Sequence, residues 1–297
     1  MKSCFLVFSA VFLITMAAGC GGRNGNPEED AAGAAPYRIL AIGNSFSQDA
    51  MRYMYDILVK NGAPAKDIVL VNAYMSGQSL KGHSLNAQYD LFTYERQSFG
   101  TKGAITSVPN AKLKDIIASN DWDYITLQQA SADSGKSDTY KEDEIEFLLD
   151  FIKEHSTNPD VKVGWHTTWA YAENYDNTAF DGYSRDQIIM YNCIMEAVQE
   201  KIVPNTGFNF IIPVGTAIQN ARVVYGDTLN SDGTHLNDRG RFIAGAMWLK
   251  QIYDFDTSVF NTPYQALNNF TITVDDMEKI KICVQDAFDN PFEVTVE

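Results

Sequence analysis

The sequence predicts an α/β fold in which a five-stranded parallel sheet lies between two layers of helices. Two observations predict it: short apolar runs alternate with segments of helical periodicity, and polar motifs follow the ends of several apolar runs. Such alternation is typical of a parallel sheet that is covered on both faces. The predicted strands span residues 38–42, 68–72, 123–127, 161–165 and 208–213.

Helices are predicted between these strands. Directly after the first strand, Met51, Met54, Tyr55 and Leu58 recur at spacings i, i+3, i+4 and i+7, which places them on one apolar helix face. Further helices are predicted over residues 141–155, 184–203 and 238–253. Residues 76–110 are rich in Gly, Ser, Gln and Tyr with little periodicity, and so predict a long excursion between the second and third strands.

The chain begins with the pattern of a secretory signal peptide over residues 1–19, in which Lys2 precedes an apolar run and small residues close the segment. The run is too short for a typical membrane-spanning helix, which needs about 20 apolar residues. Cys20 follows Ala-Ala-Gly, which resembles a bacterial lipobox, although Ala17 stands where leucine is usual. We therefore expect an exported protein that is lipid-anchored at Cys20 and faces the periplasm or the cell surface.

Residues 20–36 are polar and small, which predicts a flexible tether, and residues 37–297 are long enough for one domain. Net charge is −15 and the pI is about 4.6, which argues against nucleic acid as a partner.

Cys193 and Cys283 are the remaining cysteines of the domain. They form no CxxC pair, and the sequence leaves open whether they are free thiols or one disulfide.

Ser45 lies between the first predicted strand and the helix that follows it, in the sequence GNSFS of residues 43–47. A serine at this turn has its N–H near a helix N-terminus, a position that suits a nucleophile and an oxyanion donor. Taken alone, Ser45 or Ser47 is also well explained as a helix cap.

Asp232 and His235 form a DxxH motif directly before the last predicted core helix. A carboxylate at this spacing can orient one imidazole nitrogen while the other accepts a serine proton. The motif is short, and alone it is equally typical of a turn with an ordinary loop histidine.

Together these motifs resemble those of the SGNH (GDSL-like) hydrolase superfamily, which implies a flavodoxin-like α/β/α sandwich and a Ser45–His235–Asp232 triad. GNSFS and DGTHL (residues 232–236) match the first and last sequence blocks of that family, and NAYMSGQSL (residues 72–80) matches the second. The resemblance implies an oxyanion hole with backbone donors from Ser45 and Gly77.

The third block departs from the family pattern, because LQQAS at residues 127–131 lacks the expected asparagine. A glutamine amide can donate the same hydrogen bond from one methylene further back. We therefore expect Gln128, or else Gln129, to be the third oxyanion donor. His166, Trp169 and His83 are further candidates for substrate contacts, with Trp169 stacking on a sugar ring.

Other enzyme classes fit less well. An α/β-hydrolase needs a G-x-S-x-G elbow after several strands, and its Asp and His lie on separate loops. A zinc hydrolase would need a ligand spacing such as HExxH, which the sequence lacks. No metal and no cofactor are expected.

The expected function is that of a serine esterase or deacetylase acting on an ester, with an O-acyl or O-acetyl group on a glycan as the expected substrate. The alternative is a non-catalytic glycan-binding surface lipoprotein on the same fold, which the missing asparagine favours. Transfer of the acyl group to an acceptor other than water is compatible with the same residues.

Overall fold

A mixed seven-stranded sheet forms the centre of the computed structural model, which describes residues 37–255, 262–266 and 269–295. Its strands are β1 (Tyr37–Gly43), β2 (Ile68–Tyr74), β3 (Tyr94–Phe99), β4 (Ile105–Ala111), β5 (Tyr124–Leu127), β6 (Lys162–His166) and β7 (Phe210–Ile212), in the spatial order β4-β3-β2-β1-β5-β6-β7. β2, β1, β5, β6 and β7 are parallel and correspond to the five predicted strands. Their order is the flavodoxin-like one, in which the second strand lies outside the first.

The sheet is larger than the five strands expected, because the predicted excursion of residues 76–110 contains a helix and two more strands. β3 pairs antiparallel with β2, and β4 pairs antiparallel with β3 at the edge of the sheet. Most of β4 is exposed, so its sequence lacks the apolar alternation that reveals a strand. Pro109 fits this position, since an edge strand tolerates a residue without an N–H donor.

The helices of the described residues are α1 (Ser45–Met51), α2 (Met54–Lys60), α3 (Leu80–Gln88), α4 (Leu113–Ile117), α5 (Glu142–His155), α6 (Gln187–Lys201), α7 (Val214–Tyr225), α8 (Asp238–Tyr253) and α9 (Val274–Asp289). The three helices predicted over 141–155, 184–203 and 238–253 are present as α5, α6 and α8. The apolar face predicted after the first strand is divided between α1 and α2. Two short strands, β8 (Tyr264–Gln265) and β9 (Thr271–Ile272), precede α9.

Two apolar cores cover the two faces of the sheet, which confirms the predicted three-layer α/β/α arrangement. Ile39 and Ala41 of β1 face a core shared with α1, α2, α7, α8 and α9, whereas Leu40 and Ile42 face α3, α4 and α5. All four side chains are fully buried, and burying one Ile or Leu side chain contributes about 1.5–3 kcal/mol to stability. β1 is therefore held on both faces, which fixes the place where it ends.

The predicted signal peptide of residues 1–19, the predicted lipidation of Cys20 and the predicted tether of residues 20–36 lie outside the described residues. No helix in the described part of the chain has both the length and the apolar character needed to cross a membrane. Cys193 and Cys283 are both free thiols, so the disulfide that the sequence left open is not formed between them.

Candidate active site

The turn between β1 and α1 presents Ser45 at the carboxyl end of the sheet. Asn44 has an extended backbone and is the N-cap of α1, because its Oδ1 accepts the Phe46 N–H at 2.9 Å. Ser45 is the first residue of the helix and is partly exposed. Since Asn44 provides the cap, the Ser45 hydroxyl is free for another role.

The structure brings Ser45, His235 and Asp232 together, although Ser45 and His235 are 190 positions apart in sequence. His235 Nε2 lies 2.8 Å from Ser45 Oγ, and His235 Nδ1 lies 2.6 Å from Asp232 Oδ2. One imidazole nitrogen can therefore accept the serine proton while the carboxylate fixes the tautomer through the other. The side chains of His235 and Asp232 are 38% and 54% exposed, so the site is open to solvent.

Asp232 is held as a carboxylate by the loop around it. Its Oδ1 accepts the backbone N–H groups of His235 at 2.8 Å and Thr234 at 3.0 Å. Partial burial alone would raise the pKa of Asp232, but the hydrogen bonds from the His235 ring and from these two N–H groups hold that pKa well below its usual range. Asp232 therefore stays ionised at neutral pH, as an imidazole-orienting group requires.

The loop that carries His235 is fastened to the segment after β6. Trp169 Nε1 donates to the Thr234 carbonyl at 2.8 Å, and the Ala172 N–H donates to the Gly233 carbonyl at the same distance. Gly233 has a φ of +88°, and its backbone lies against the ring of Tyr175, so a side chain there would meet both strain and a clash. These contacts define where the imidazole can lie.

Backbone donors for an oxyanion are available at two positions. Within the described residues, no acceptor is found for the N–H of Ser45 or of Gly77. The Gly77 loop is held beside the nucleophile turn, because Asn44 Nδ2 donates to the Gln78 carbonyl at 3.1 Å and the Met75 N–H donates to the Gly43 carbonyl at 3.1 Å. Gly77 is exposed with a φ of +62°, a conformation that favours glycine.

The expected role of Gln128 as an oxyanion donor needs correction. Its amide Nε2 donates to Asn44 Oδ1 at 2.9 Å and to the Gln129 carbonyl at 3.3 Å, and its Oε1 accepts the Ser47 hydroxyl. The Phe46 N–H identifies the Asn44 atom at this position as the oxygen Oδ1, which can only accept hydrogen bonds. The atom of the Gln128 amide that contacts it must therefore be the donor nitrogen Nε2. Gln128 is fully buried beneath the nucleophile turn, where a Cβ on Gly43 would lie 2.8 Å from its Oε1.

Gln129, the second candidate donor, is also engaged elsewhere. Its Oε1 accepts the N–H groups of Leu80 at 3.1 Å and Ala130 at 2.8 Å, and its Nε2 donates to Thr139. It is 1% exposed. Gln129 therefore fastens the beginning of α3 to the loop after β5, and Thr139 engages its amide group.

The three expected substrate-contact residues are buried, so these assignments are also corrected. His83 and His166 are fully buried, and burial lowers the pKa of each to about 3. His83 Nδ1 is 2.9 Å from the Tyr94 hydroxyl, and His166 packs against Trp248. Trp169 is also fully buried, and its ring stacks on that of Phe46 with 4.1 Å between the ring centroids. Neither face of Trp169 is therefore open to a sugar ring.

Asp49 is a buried carboxylate beside the site that sequence reasoning missed. It lies one turn after Ser45 on α1, and it contacts the backbone of Leu236 and the side chain of Arg241. The only sequence signal was its i, i+4 spacing from Ser45, which many helices share.

For metal chemistry, the described residues contain no group of three or more His, Cys, Asp or Glu side chains arranged to hold an ion.

Comparison with known proteins gives one family and several structures. The family described as "Domain of unknown function (DUF4886)" matches residues 38–275. A DUF4886 family protein from Bacteroides uniformis is 32% identical, with 88% of this chain and 98% of that chain covered and a TM-score of 0.78. Curated proteins provide no match.

Two more distant structures are also similar to this chain. A putative SGNH hydrolase from Slackia heliotrinireducens is 19% identical, with 73% and 99% of the two chains covered and a TM-score of 0.48. An acetylxylan esterase from Geobacillus stearothermophilus is 17% identical, with 74% and 96% covered and a TM-score of 0.44.

Proposed function

The chain belongs to the DUF4886 family, and from the geometry of its site we propose that it is a serine hydrolase that cleaves ester bonds. The observation that carries the proposal is the continuous hydrogen-bonded chain from Ser45 Oγ through His235 to Asp232, with contacts of 2.8 and 2.6 Å. A nucleophile, a base and an orienting carboxylate in this order are the parts that acyl transfer requires.

In the proposed reaction, Ser45 Oγ attacks the ester carbonyl carbon while His235 Nε2 takes the hydroxyl proton. The carbonyl oxygen becomes an oxyanion, which the N–H groups of Ser45 and Gly77 stabilise. The tetrahedral intermediate then expels the alcohol, which takes the proton from His235, and an acyl-serine remains. Water, deprotonated by His235, attacks the acyl group, and collapse releases the carboxylic acid and returns the proton to Ser45.

Two backbone donors replace the expected set of three in this proposal, because Gln128 and Gln129 are engaged in internal hydrogen bonds. A lost oxyanion donor typically costs about 10²–10³ in kcat. The proposed enzyme therefore depends more heavily on the two N–H groups that remain, and the conformation of the Gly77 loop becomes correspondingly important.

The substrate proposed is an O-acyl or O-acetyl ester on a glycan. Asp232 and His235 lie at an exposed rim, so a bulky alcohol portion can remain in solvent while its acyl group reaches Ser45. The predicted export of the protein also favours a surface polymer. An alternative acyl acceptor in place of water would use the same residues.

The proposed function is tested with a fluorophosphonate probe, which reacts with an activated serine, followed by mapping of the labelled peptide. We expect labelling at Ser45 that is lost in the His235→Ala variant. Failure of the wild-type protein to react, or labelling at another serine, would favour the binding protein over the enzyme. Cleavage of acetylated oligosaccharides then tests the proposed substrate, with release of acetate as the readout.

We also propose that the protein is anchored to a membrane through lipidated Cys20. The Cys20→Ser variant is expected to lose the lipid and to leave the detergent phase, whereas the unmodified chain should partition into it. Partition is measured by Triton X-114 phase separation and immunoblotting. Cys193→Ser is the matched control, because that thiol lies within the domain. Equal partition of the Cys20→Ser variant and the wild type would contradict the anchor.

A further inference from the structure

Asp49 connects the helix of the proposed nucleophile to the loop of the proposed base. It lies on α1, as Ser45 does, and its side chain is 5% exposed. Its Oδ2 accepts the backbone N–H of Leu236 at 2.8 Å, and its Oδ1 accepts Arg241 Nε at 2.7 Å. Leu236 is the residue directly after His235, so this carboxylate holds the base loop against the nucleophile's own helix.

The contact adds a hydrogen bond from α1 to the backbone of the base loop, besides the Ser45–His235 contact itself. The base loop is tied to α8 by chain continuity and by Asn237, whose Oδ1 accepts the Gly240 N–H at 3.2 Å as the N-cap. It is tied to the segment after β6 by Trp169. The Trp169 tie also reaches α1, but through the stacking of its ring on Phe46 and not through a hydrogen bond. Asp49 joins the loop to α1 one helical turn from Ser45, where a small displacement changes the separation of Oγ and Nε2 directly.

We propose that Asp49 is a positioning residue that sets the distance between Ser45 Oγ and His235 Nε2, an inference that rests on the proposed function. Burial raises the pKa of Asp49, while Arg241 and the Leu236 N–H oppose that rise. Because both carboxylate oxygens face donors, the charged form is the one that fits. A buried carboxylate held from two sides has little freedom to move, which suits a part that fixes a catalytic geometry.

Arg241 is the second partner of the Asp49 carboxylate and is itself held by a further contact. Besides Asp49, its guanidinium approaches Asp238 at 3.4 Å, and Asp238 accepts the Tyr53 hydroxyl. Removing Asp49 alone would therefore leave a partly buried arginine without its nearest carboxylate and a buried N–H without an acceptor. Both consequences destabilise the protein, so the test must separate a positional effect from a loss of folded protein.

The experiment measures kcat per active site, with sites counted by fluorophosphonate titration and a small p-nitrophenyl ester as substrate. For Asp49→Ala we expect kcat per titrated site to fall by about 10-fold or more with KM nearly unchanged, as for a misplaced catalytic group. The double variant Asp49→Asn, Arg241→Gln is expected to recover most of kcat. Its asparagine can still accept the Leu236 N–H and donate to the neutral glutamine.

Asp123→Ala is the matched control. Asp123 also accepts a backbone N–H, that of Arg38 at 3.1 Å, and it pairs with the Arg38 guanidinium at 3.0 Å, but it lies at the opposite end of β1 from Ser45. We expect this control to lose stability while keeping its kcat per site. An unchanged kcat per site in Asp49→Ala, or an equal loss in Asp123→Ala, overturns the proposal.

A second comparison applies where Asp49→Ala does not fold. The single variant Asp49→Asn places an amide donor against Arg241 and should lose kcat per site, whereas the double variant should restore it. An equal kcat per site in the Asp49→Asn variant and the wild type overturns the proposal. Failure of the proposed function is recognised separately, since the wild-type protein itself would then show no labelling at Ser45.

Discussion

Ser45→Ala and His235→Ala are each expected to lower kcat by about 10⁴-fold or more, because either change removes the proton transfer that makes the serine nucleophilic. The double variant should lose little beyond the single ones, since the two side chains act as a unit through their 2.8 Å contact. The kcat of Asp232→Asn should fall less than that of either single variant, or by a similar factor. The measurement is kcat for a p-nitrophenyl ester under saturating substrate.

Matched controls for these variants lie away from the site. Ser119 Oγ donates to the Ile116 carbonyl and accepts Asn120 Nδ2, and His155 Nδ1 lies 2.9 Å from the Phe151 carbonyl at the end of α5. Ser119→Ala and His155→Ala should therefore keep wild-type kcat. Losses that multiply in the Ser45→Ala, His235→Ala double variant would argue that the two residues act in separate steps and would contradict the shared mechanism.

Gln128→Ala is expected to lower the free energy of unfolding by about 2–4 kcal/mol, because it opens a cavity and leaves buried polar atoms unpaired. Gln128 is fully buried and connects Asn44, Ser47 and the Gln129 carbonyl beneath the nucleophile turn. Loss of this support should also lower kcat, since Asn44 caps the helix that begins with Ser45. Chemical denaturation and steady-state kinetics give the two quantities.

The stability measurement distinguishes this role from the oxyanion role that the sequence suggested. A donor that acts mainly in the transition state would change kcat by about 10²-fold with little effect on folding. A large kcat loss at unchanged unfolding free energy would therefore restore the oxyanion assignment. Gln129→Ala is the comparison variant: its contacts are to α3 and Thr139, so we expect a loss of stability with a smaller effect on kcat.

The parallel strands and the longer helices could be predicted because their signals are local. β1 is apolar on both faces since helices cover both. α5 was predicted to within one residue of its bounds because its buried positions Ile145, Leu148 and Ile152 recur at helical spacing. The pair β3 and β4 was missed for the opposite reason. Their residues are largely polar, and they are strands because the backbone of β3 pairs with β2 and that of β4 pairs with β3.

The candidate site divides in the same way. Ser45, Asp232 and His235 could be chosen from the sequence, because the short blocks that contain them together resemble those of a known hydrolase superfamily, although each block alone is also typical of a helix cap or a turn. The roles of Gln128, Trp169 and Asp49 could not, because each depends on which distant atom its side chain reaches: Asn44 for Gln128, Thr234 for Trp169, and Leu236 for Asp49.

The sequence by itself determined the layered α/β architecture, through the spacing of its apolar runs, and the candidate triad, through the resemblance of its motifs to those of a known hydrolase superfamily. Only the tertiary structure decided the number of strands, the buried state of His83 and His166, and the use of Gln128 as a support for the nucleophile turn. The physical reason is that a buried polar side chain must find a partner, and which partner it finds depends on the packing of segments that lie far apart in sequence.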